Sequence, residues 1–183
     1  VIQDETDGYI IIASENTGLH FINKSDGSKR SFKNDPNDGF SISSNSFDMN
    51  QHNPIAIDEL GNIWVATDNG LNYYRKDKDI FTRFNQREGL SGNKINTLMA
   101  KGDFIYVGSS KGLDRINIKS FNIEKLSGNV WFSFTGLYGV NKILKFPNGQ
   151  GFWMATTGGL VYATDIYGEE IFSDIEWFGL FGQ

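Results

Sequence analysis

One short motif recurs along this 183-residue chain, and its spacing limits the folds that the chain can adopt. The clearest copy runs from Asp58 to Leu71 and reads Asp-Glu-Leu-Gly-Asn-Ile-Trp-Val-Ala-Thr-Asp-Asn-Gly-Leu. Shorter copies end at Leu113 and Leu160, and a degenerate copy with one extra residue in its turn ends at Leu19. The residues that correspond to Trp64 are Ile11, Tyr106 and Trp153, at successive spacings of 53, 42 and 47 residues. Periods of this size are typical of a repeating sheet of about four strands.

The residues within each copy favour β-structure. Gly61 precedes an apolar strand that ends at Thr67, and a Phe-rich strand, Phe81–Phe84, completes the unit. Glycine adopts positive φ without strain, so it suits the hairpin turn that follows the apolar strand. The predicted turn glycines are Gly70, Gly112 and Gly159, and the large residues predicted to pack between sheets are Trp64, Tyr106 and Trp153. The sequence therefore predicts an all-β fold of about four four-stranded antiparallel β-propeller blades.

A second signal, glycine followed by Leu or Phe, separates the copies. It occurs at Gly39-Phe40, Gly89-Leu90, Gly136-Leu137 and Gly179-Leu180, at spacings of 50, 47 and 43 residues. The approximate blades are then 1–40, 41–90, 91–137 and 138–183, and together they make up one propeller fragment, 1–183. Because a fifth blade is expected to begin after the last of these linkers, we expect the chain to be part of a larger propeller. Closure of the four blades into a ring is the alternative.

Composition excludes several function classes. The chain has no cysteine, which removes disulfides, thiol catalysis and cysteine metal sites. Its net charge is -5 and it contains no basic block, which argues against nucleic acid as a partner. It also lacks an apolar run of about 18 residues, so this segment is not expected to insert into a membrane.

Residues that could carry catalysis or bind metal have structural explanations. His20 and His52 are far apart, so no zinc site is predicted, and we expect His20 to be a structural strand residue. Asp35–Gly39 resembles a calcium loop but lacks its closing Glu, which favours a turn stabilised by Asx side chains. Asp58 and Asp68 recur as motif or turn positions, whereas a catalytic carboxylate should occur once. No catalytic residue, metal or cofactor is predicted.

Ligand binding remains as a candidate function. In a propeller, the linkers between blades and the hairpins between second and third strands gather on one face. Amide, charged and aromatic side chains on that face suit a hydroxyl-rich ligand, with Trp131 as a stacking surface. The candidate ligand-binding residues are His52, Asn53, Asp68, Asn69, Arg87, Lys111 and Trp131.

The full pattern, from Asp58 through the Gly-Leu linker, resembles the two-component regulator propeller repeat, and the four copies cover almost the whole chain. The resemblance implies the extracytoplasmic sensor portion of a bacterial hybrid sensor histidine kinase, an inner-membrane protein whose sensor part is periplasmic. It also implies many more blades than four and a β-sandwich domain after them. The expected partners are therefore those remaining blades, that β-sandwich, and an oligosaccharide or other small ligand.

Two alternatives stay open. A structural or dimerisation scaffold, working as a homodimer, is suggested by an apolar tail comprising Ile171, Phe172, Ile175, Trp177, Phe178, Leu180 and Phe181. A polysaccharide lyase or glycosidase built on a propeller would need an unrepeated acid and base pair, and none stands out in the sequence.

Overall fold

The computed structural model consists of antiparallel strands joined by turns, and it describes residues 2–4, 8–47, 53–126, 139–145, 151–164 and 175–178. Within these residues, sixteen strands form four sheets of four, each in chain order. The first sheet contains β1 (Ile2–Asp4), β2 (Tyr9–Ser14), β3 (Gly18–Asn23) and β4 (Lys29–Phe32). The second contains β5 (Ile55–Ile57), β6 (Ile63–Thr67), β7 (Gly70–Arg75) and β8 (Ile80–Phe84). The third contains β9 (Ile95–Lys101), β10 (Phe104–Ser109), β11 (Gly112–Asn117) and β12 (Ile123–Lys125). The fourth contains β13 (Val140–Lys145), β14 (Gly151–Thr156), β15 (Gly159–Thr164) and β16 (Ile175–Phe178).

The sheets are arranged as propeller blades. Their first strands, β1, β5, β9 and β13, lie next to one another in that order, and the other strands of each sheet follow outward. The prediction of four-stranded antiparallel propeller blades is confirmed, and the sheets are called blades 1 to 4 below. The predicted Phe-rich outer strand is β8.

The cores lie between blades rather than within them. In β6, Ile63 and Val65 belong to an apolar cluster shared with blade 1, whereas Trp64 and Ala66 belong to one shared with blade 3. Alternate side chains of one strand therefore serve two interfaces, as a period of two requires. A third cluster, which includes Tyr106 of β10, joins blades 3 and 4. The side of a blade that meets the preceding blade is its leading face, and the opposite side is its trailing face.

The predicted packing positions differ in their surroundings. Trp64 and Tyr106 are buried in the clusters between blades, which confirms that prediction for these two residues. Trp153 lies on the trailing face of blade 4, where it is half-buried and belongs to none of the three described clusters.

The motif glycine of the hairpin is required by crowding as well as by conformation. Gly70 has φ of 113°, and a Cβ atom at this position would lie 2.5 Å from the carbonyl oxygen of Phe84. The predicted positive φ is also found at Gly112 and Gly159. Thr67 closes the turn because its hydroxyl donates to the carbonyl of Gly70 (3.0 Å) and accepts from the amide of Asn69 (3.2 Å).

The residue that follows the linker glycine is buried in one linker and exposed in another. Leu90 of the Gly89-Leu90 linker is buried between blades 2 and 3, but Phe40 of Gly39-Phe40 is 62% exposed. Ile42, two residues after Phe40, and Phe47 are the apolar residues of this linker that are buried between blades 1 and 2. The linker between blades 1 and 2 is longer, so glycine proximity alone does not identify the residue that enters the core.

Candidate functional site

The linkers and the hairpins between second and third strands lie on one face, which we call the linker face. The hydroxyl of Ser43 in the first linker is 2.8 Å from that of Thr67, and the amide of Asp68 donates to the Ser46 carbonyl (3.4 Å). In blade 4 the amide of Thr157 donates to the carbonyl of Gly139 (3.0 Å). Because strands alternate in direction, the turns between first and second strands, and between third and fourth, lie at the opposite end.

A polar side chain in the third strand of a blade fixes the linker that enters it. In blade 2, Asn72 accepts from the amide of Ser43 (2.8 Å) and donates to its hydroxyl (2.9 Å). In blade 3, Asp114 accepts from both the amide (2.8 Å) and the hydroxyl (2.6 Å) of Ser91. Both residues are fully buried, and burial raises the pKa of the Asp114 carboxyl.

Sequence reasoning missed these two contacts, which we call the linker clasps. The available signal was positional, since Asn72 and Asp114 each lie two residues after a hairpin glycine.

The structure places five of the seven candidate ligand residues on the linker face. Asp68, Asn69, Arg87 and Lys111 are exposed in hairpins or linkers, and Asn53 is exposed just before β5. The backbone carbonyl of Asn53 accepts from the amide of Leu98 on β9 (3.1 Å), so this residue lies near the innermost strands. The other two candidates, His52 and Trp131, lie outside the described residues.

Asn69 combines an exposed position with a structural contact. Its side-chain amide donates to the carbonyl of Ser43 (3.2 Å), which ties the blade 2 hairpin to the entering linker. Lys111 occupies the corresponding hairpin of blade 3, next to Gly92 of the linker that enters blade 3. A ligand that contacted either hairpin would therefore touch a joint between two blades.

Asp58 is engaged in a turn and is not available as a catalytic carboxylate. Its oxygens accept from the amides of Leu60 (3.0 Å) and Asn62 (2.9 Å), from the Asn62 side chain (3.0 Å) and from Trp64 Nε1 (2.9 Å). The side chain is buried, so these donors replace its hydration. The prediction of a structural role for Asp58 is confirmed.

The other polar groups considered from the sequence also have local roles. Asp35 and Asp38 accept from the amides of Asn37 (2.9 Å) and Phe40 (2.8 Å), which makes the Asp35–Gly39 segment a pair of Asx turns. His20 lies in β3, where its ring nitrogens contact the hydroxyls of Thr17 (2.9 Å) and Ser31 (2.8 Å). Partial burial and then nearby lysines lower the pKa of His20. In the described part of the chain, no group of three acidic or histidine side chains could hold a metal ion.

A polar cluster at the outer edge of blades 1 and 2 is structural. Arg30 of β4 pairs with Asp79, which also accepts from the hydroxyl of Tyr74 (2.6 Å). Burial, followed by the contact with Asp79, raises the pKa of Tyr74 to about 12. The tyrosine therefore stays neutral at physiological pH, and its hydroxyl connects the two blades because it also accepts from the guanidinium of Arg30 (3.4 Å).

The blade architecture and the joined linker face define a β-propeller-type protein. Solved structures share this fold. The extracellular domain of a protein described as a hybrid two-component system, BT3049 from B. thetaiotaomicron, is 22% identical with a TM-score of 0.68, over 88% of this chain and 21% of that one. PorZ, a surface component of the type-IX secretion system of Porphyromonas gingivalis, is 16% identical with a TM-score of 0.61, over 94% of this chain and 21% of that one. A Bacteroides thetaiotaomicron protein of unknown function is 15% identical with a TM-score of 0.53, over 94% of this chain and 41% of that one.

The chain thus spans about a fifth of the length of the first two structures. No family model and no curated protein matches its sequence. Within the described residues, no helix is long and apolar enough to cross a membrane.

Proposed function

We propose that this chain is a non-catalytic, ligand-sensing propeller module of the extracytoplasmic part of a bacterial two-component sensor histidine kinase. The observation that carries the proposal is the linker face, where exposed polar side chains from successive blades gather beside the joints between blades. The motif resemblance and the fold shared with the BT3049 extracellular domain support the same class. The parent protein would lie in the inner membrane with this part in the periplasm.

The ligand class that suits the linker face is an oligosaccharide or another small polar molecule. Lys111 and Arg87 offer cationic donors, and Asn69 offers an amide that can both donate and accept. Asp68 adds an acceptor in the same hairpin as Asn69. Such a mixed set of donors and acceptors suits neutral hydroxyl groups better than a polyanion.

Signalling would use the joints between blades. A ligand that binds two hairpins favours the blade arrangement in which both contacts form. The linker clasps at Asn72 and Asp114 join each entering linker to a third strand, so they would couple the position of the hairpins to that of the third strands. The remaining blades and the following β-sandwich would then transmit it to the kinase dimer.

Calorimetric titration of a panel of neutral and acidic oligosaccharides tests this proposal. We expect saturable binding of at least one sugar, weakened roughly tenfold by Lys111→Ala or Arg87→Ala through loss of a charged hydrogen bond. Lys78→Ala is the matched control, because Lys78 is an exposed cation in the turn between β7 and β8 at the opposite end. Absence of binding across the panel, or equal weakening by Lys78→Ala, would contradict the proposal.

A second candidate, a structural or dimerisation scaffold, is favoured by the trailing face of blade 4. Leu160 on this face is 37% exposed, whereas the corresponding Leu71 of blade 2 is fully buried. The apolar tail that suggested this function contributes Ile175–Phe178 to β16 as the outer strand of blade 4, and its other residues lie outside the described ones.

A further inference from the structure

The turn between the third and fourth strands has one geometry in blades 1, 2 and 3. In each, the amide of the fourth residue after the third strand donates to the carbonyl of the last residue of that strand: Gly27 to Asn23 (2.9 Å), Asp79 to Arg75 (2.8 Å) and Phe121 to Asn117 (2.9 Å). The donor residue has positive φ each time, at 71°, 61° and 59°. The repeat therefore places one left-handed residue at a fixed position, at the end opposite the linker face.

Phenylalanine is an unfavourable residue for this position. Glycine adopts positive φ without strain and aspartate tolerates it, but a bulky side chain crowds its own backbone in the left-handed region. Blade 1 makes the same turn hydrogen bond with glycine at the position, so that bond alone does not account for a phenylalanine. The cost at Phe121 is therefore offset by contacts of its side chain.

The ring of Phe121 packs on the trailing face of blade 2. Its centroid lies 5.2 Å from that of Tyr73, 5.8 Å from that of Phe84 and 6.1 Å from that of Trp64. These three residues belong to, or pack against, the apolar cluster between blades 2 and 3, and Phe121 lies at its rim with 37% exposure. Aromatic pairs at such distances stabilise beyond the area that they bury. The backbone conformation of a turn in blade 3 thus depends on rings in blade 2.

Blade 2 uses the same turn position to reach the blade before it. The carboxylate of Asp79 pairs with Arg30 in β4 of blade 1. Because aspartate is tolerated in the left-handed region, this contact involves less backbone strain than that of Phe121. The joint between blades 2 and 3 is therefore the one, among the described turns of this kind, where contact with the preceding blade is coupled to a strained residue.

We propose that Phe121 is a strained latch between blades 2 and 3: its ring docks on blade 2 while the blades are closely packed, and its turn leaves the left-handed conformation when the ring undocks. The ring lies at the rim of the cluster, whereas Ile118 of the same turn is 4% exposed and stays in the cluster. A small opening of the joint would therefore release the latch before the blades separate. The latch converts a change in blade spacing into a change in backbone conformation at the end opposite the linker face, and it does not depend on the proposed ligand.

Hydrogen exchange at the amide of residue 121, followed by NMR in the 183-residue chain, tests the latch. Phe121→Ala removes the ring but keeps the cost of positive φ, whereas Phe121→Gly removes both. We expect exchange in Phe121→Ala to be roughly tenfold faster than in the wild type, because the turn hydrogen bond opens more often. Exchange in Phe121→Gly should stay within about twofold of the wild type after correction for intrinsic rates.

Removal of the docking ring tests the same coupling from blade 2. Tyr73→Ala should speed exchange at residue 121 roughly tenfold when Phe121 is present, and should have little effect in the Phe121→Gly background. The amide of Gly27, in the matching turn of blade 1, is the internal control and should exchange at an unchanged rate in every variant. Circular dichroism should show that all the variants fold.

Three outcomes would overturn the proposal. Unchanged exchange in Phe121→Ala would mean that the turn keeps its conformation without the ring. Equal acceleration in Phe121→Ala and Phe121→Gly would indicate lost packing rather than released strain. An equal effect of Tyr73→Ala in both backgrounds would show that blade 2 acts on the turn by some route other than Phe121.

Discussion

At the level of the single residue, the carboxylate of Asp58 is a buried and extensively hydrogen-bonded group. It accepts four hydrogen bonds, one of them from the indole of the fully buried Trp64. The first position of the motif and its tryptophan are therefore one unit, in which the carboxylate orients the ring that fills the space between blades 2 and 3. This contact explains why an acidic residue precedes the strand by several positions.

Replacing Asp58 with alanine should destabilise the protein by about 2–4 kcal/mol, because the buried Trp64 Nε1 and the partly buried donors of Leu60 and Asn62 would lose their acceptor. The free energy of unfolding in urea measures this loss. Asp68→Ala is the control, since Asp68 is an exposed motif carboxylate, and it should change stability by less than about 0.5 kcal/mol. Similar losses in both variants would show that the hydrogen bonds of Asp58 are not responsible.

At the level of the strand and its linker, blades 2 and 3 fix the linker that enters each blade with different side chains. Asn72 and Asp114 occupy the same position after the hairpin glycine, and each fixes the serine of the entering linker. The amide of Asn72 also donates to the carbonyl of Val65 on the neighbouring strand (3.2 Å). Asparagine therefore satisfies the clasp without a buried charge.

Asp114→Asn should accordingly raise stability near neutral pH, by about 1 kcal/mol, by removing the cost of burying an ionised carboxylate. The pKa of Asp114 is higher in the folded state than in the unfolded state. Its contribution to the free energy of unfolding is therefore most favourable below the unfolded-state pKa, and it is lost as pH rises through the folded-state pKa. The advantage of the variant should therefore grow with pH across that window and then level off. Urea unfolding of both proteins from about pH 4 to about pH 8 measures it.

Asp114→Ala is the companion variant, because it removes the acceptor as well as the charge. It should destabilise the protein by about 1–3 kcal/mol, since the partly buried amide and hydroxyl of Ser91 would lose their partner. An Asn variant no more stable than the Ala variant would contradict the linker clasp.

The same elements show how far the sequence could predict the structure. Hairpin glycines and the strand order were predictable, because positive φ and strand alternation act within a few residues of the chain. The linker clasps and the burial of Ile42 were not, because they join segments that sequence spacing does not relate: Ser43 and Asn72 are 29 residues apart, and Ser91 and Asp114 are 23 apart. Topology predicted that the candidate ligand residues share one face, and the five that the structure describes lie on the linker face; that they bind a ligand stays a prediction.

At the scale of the whole molecule, each of the three apolar clusters formed by the described residues joins two successive blades. Stability in such an array depends on each blade and on its nearest neighbours. Gly108 lies where blade 4 packs on blade 3, and a Cβ atom there would lie 2.9 Å from Val140 Cγ1 of blade 4 and 2.6 Å from Thr97 Cγ2 on the neighbouring strand of blade 3. A larger residue at Gly108 should therefore disturb blade 3 and its contact with blade 4 before it affects blades 1 and 2.

Gly108→Val tests this nearest-neighbour coupling by hydrogen exchange. Protection of amides in β13 and β14 should fall strongly, whereas protection in β2, β3, β6 and β7 should change little, because blades 1 and 2 keep their shared cluster. Gly39→Val is the control, since a Cβ atom at Gly39 would meet nothing within 4 Å, and it should leave all four blades protected. A uniform loss of protection in Gly108→Val would mean that the blades unfold together, and a ligand on one hairpin would then act on the whole array rather than on one joint.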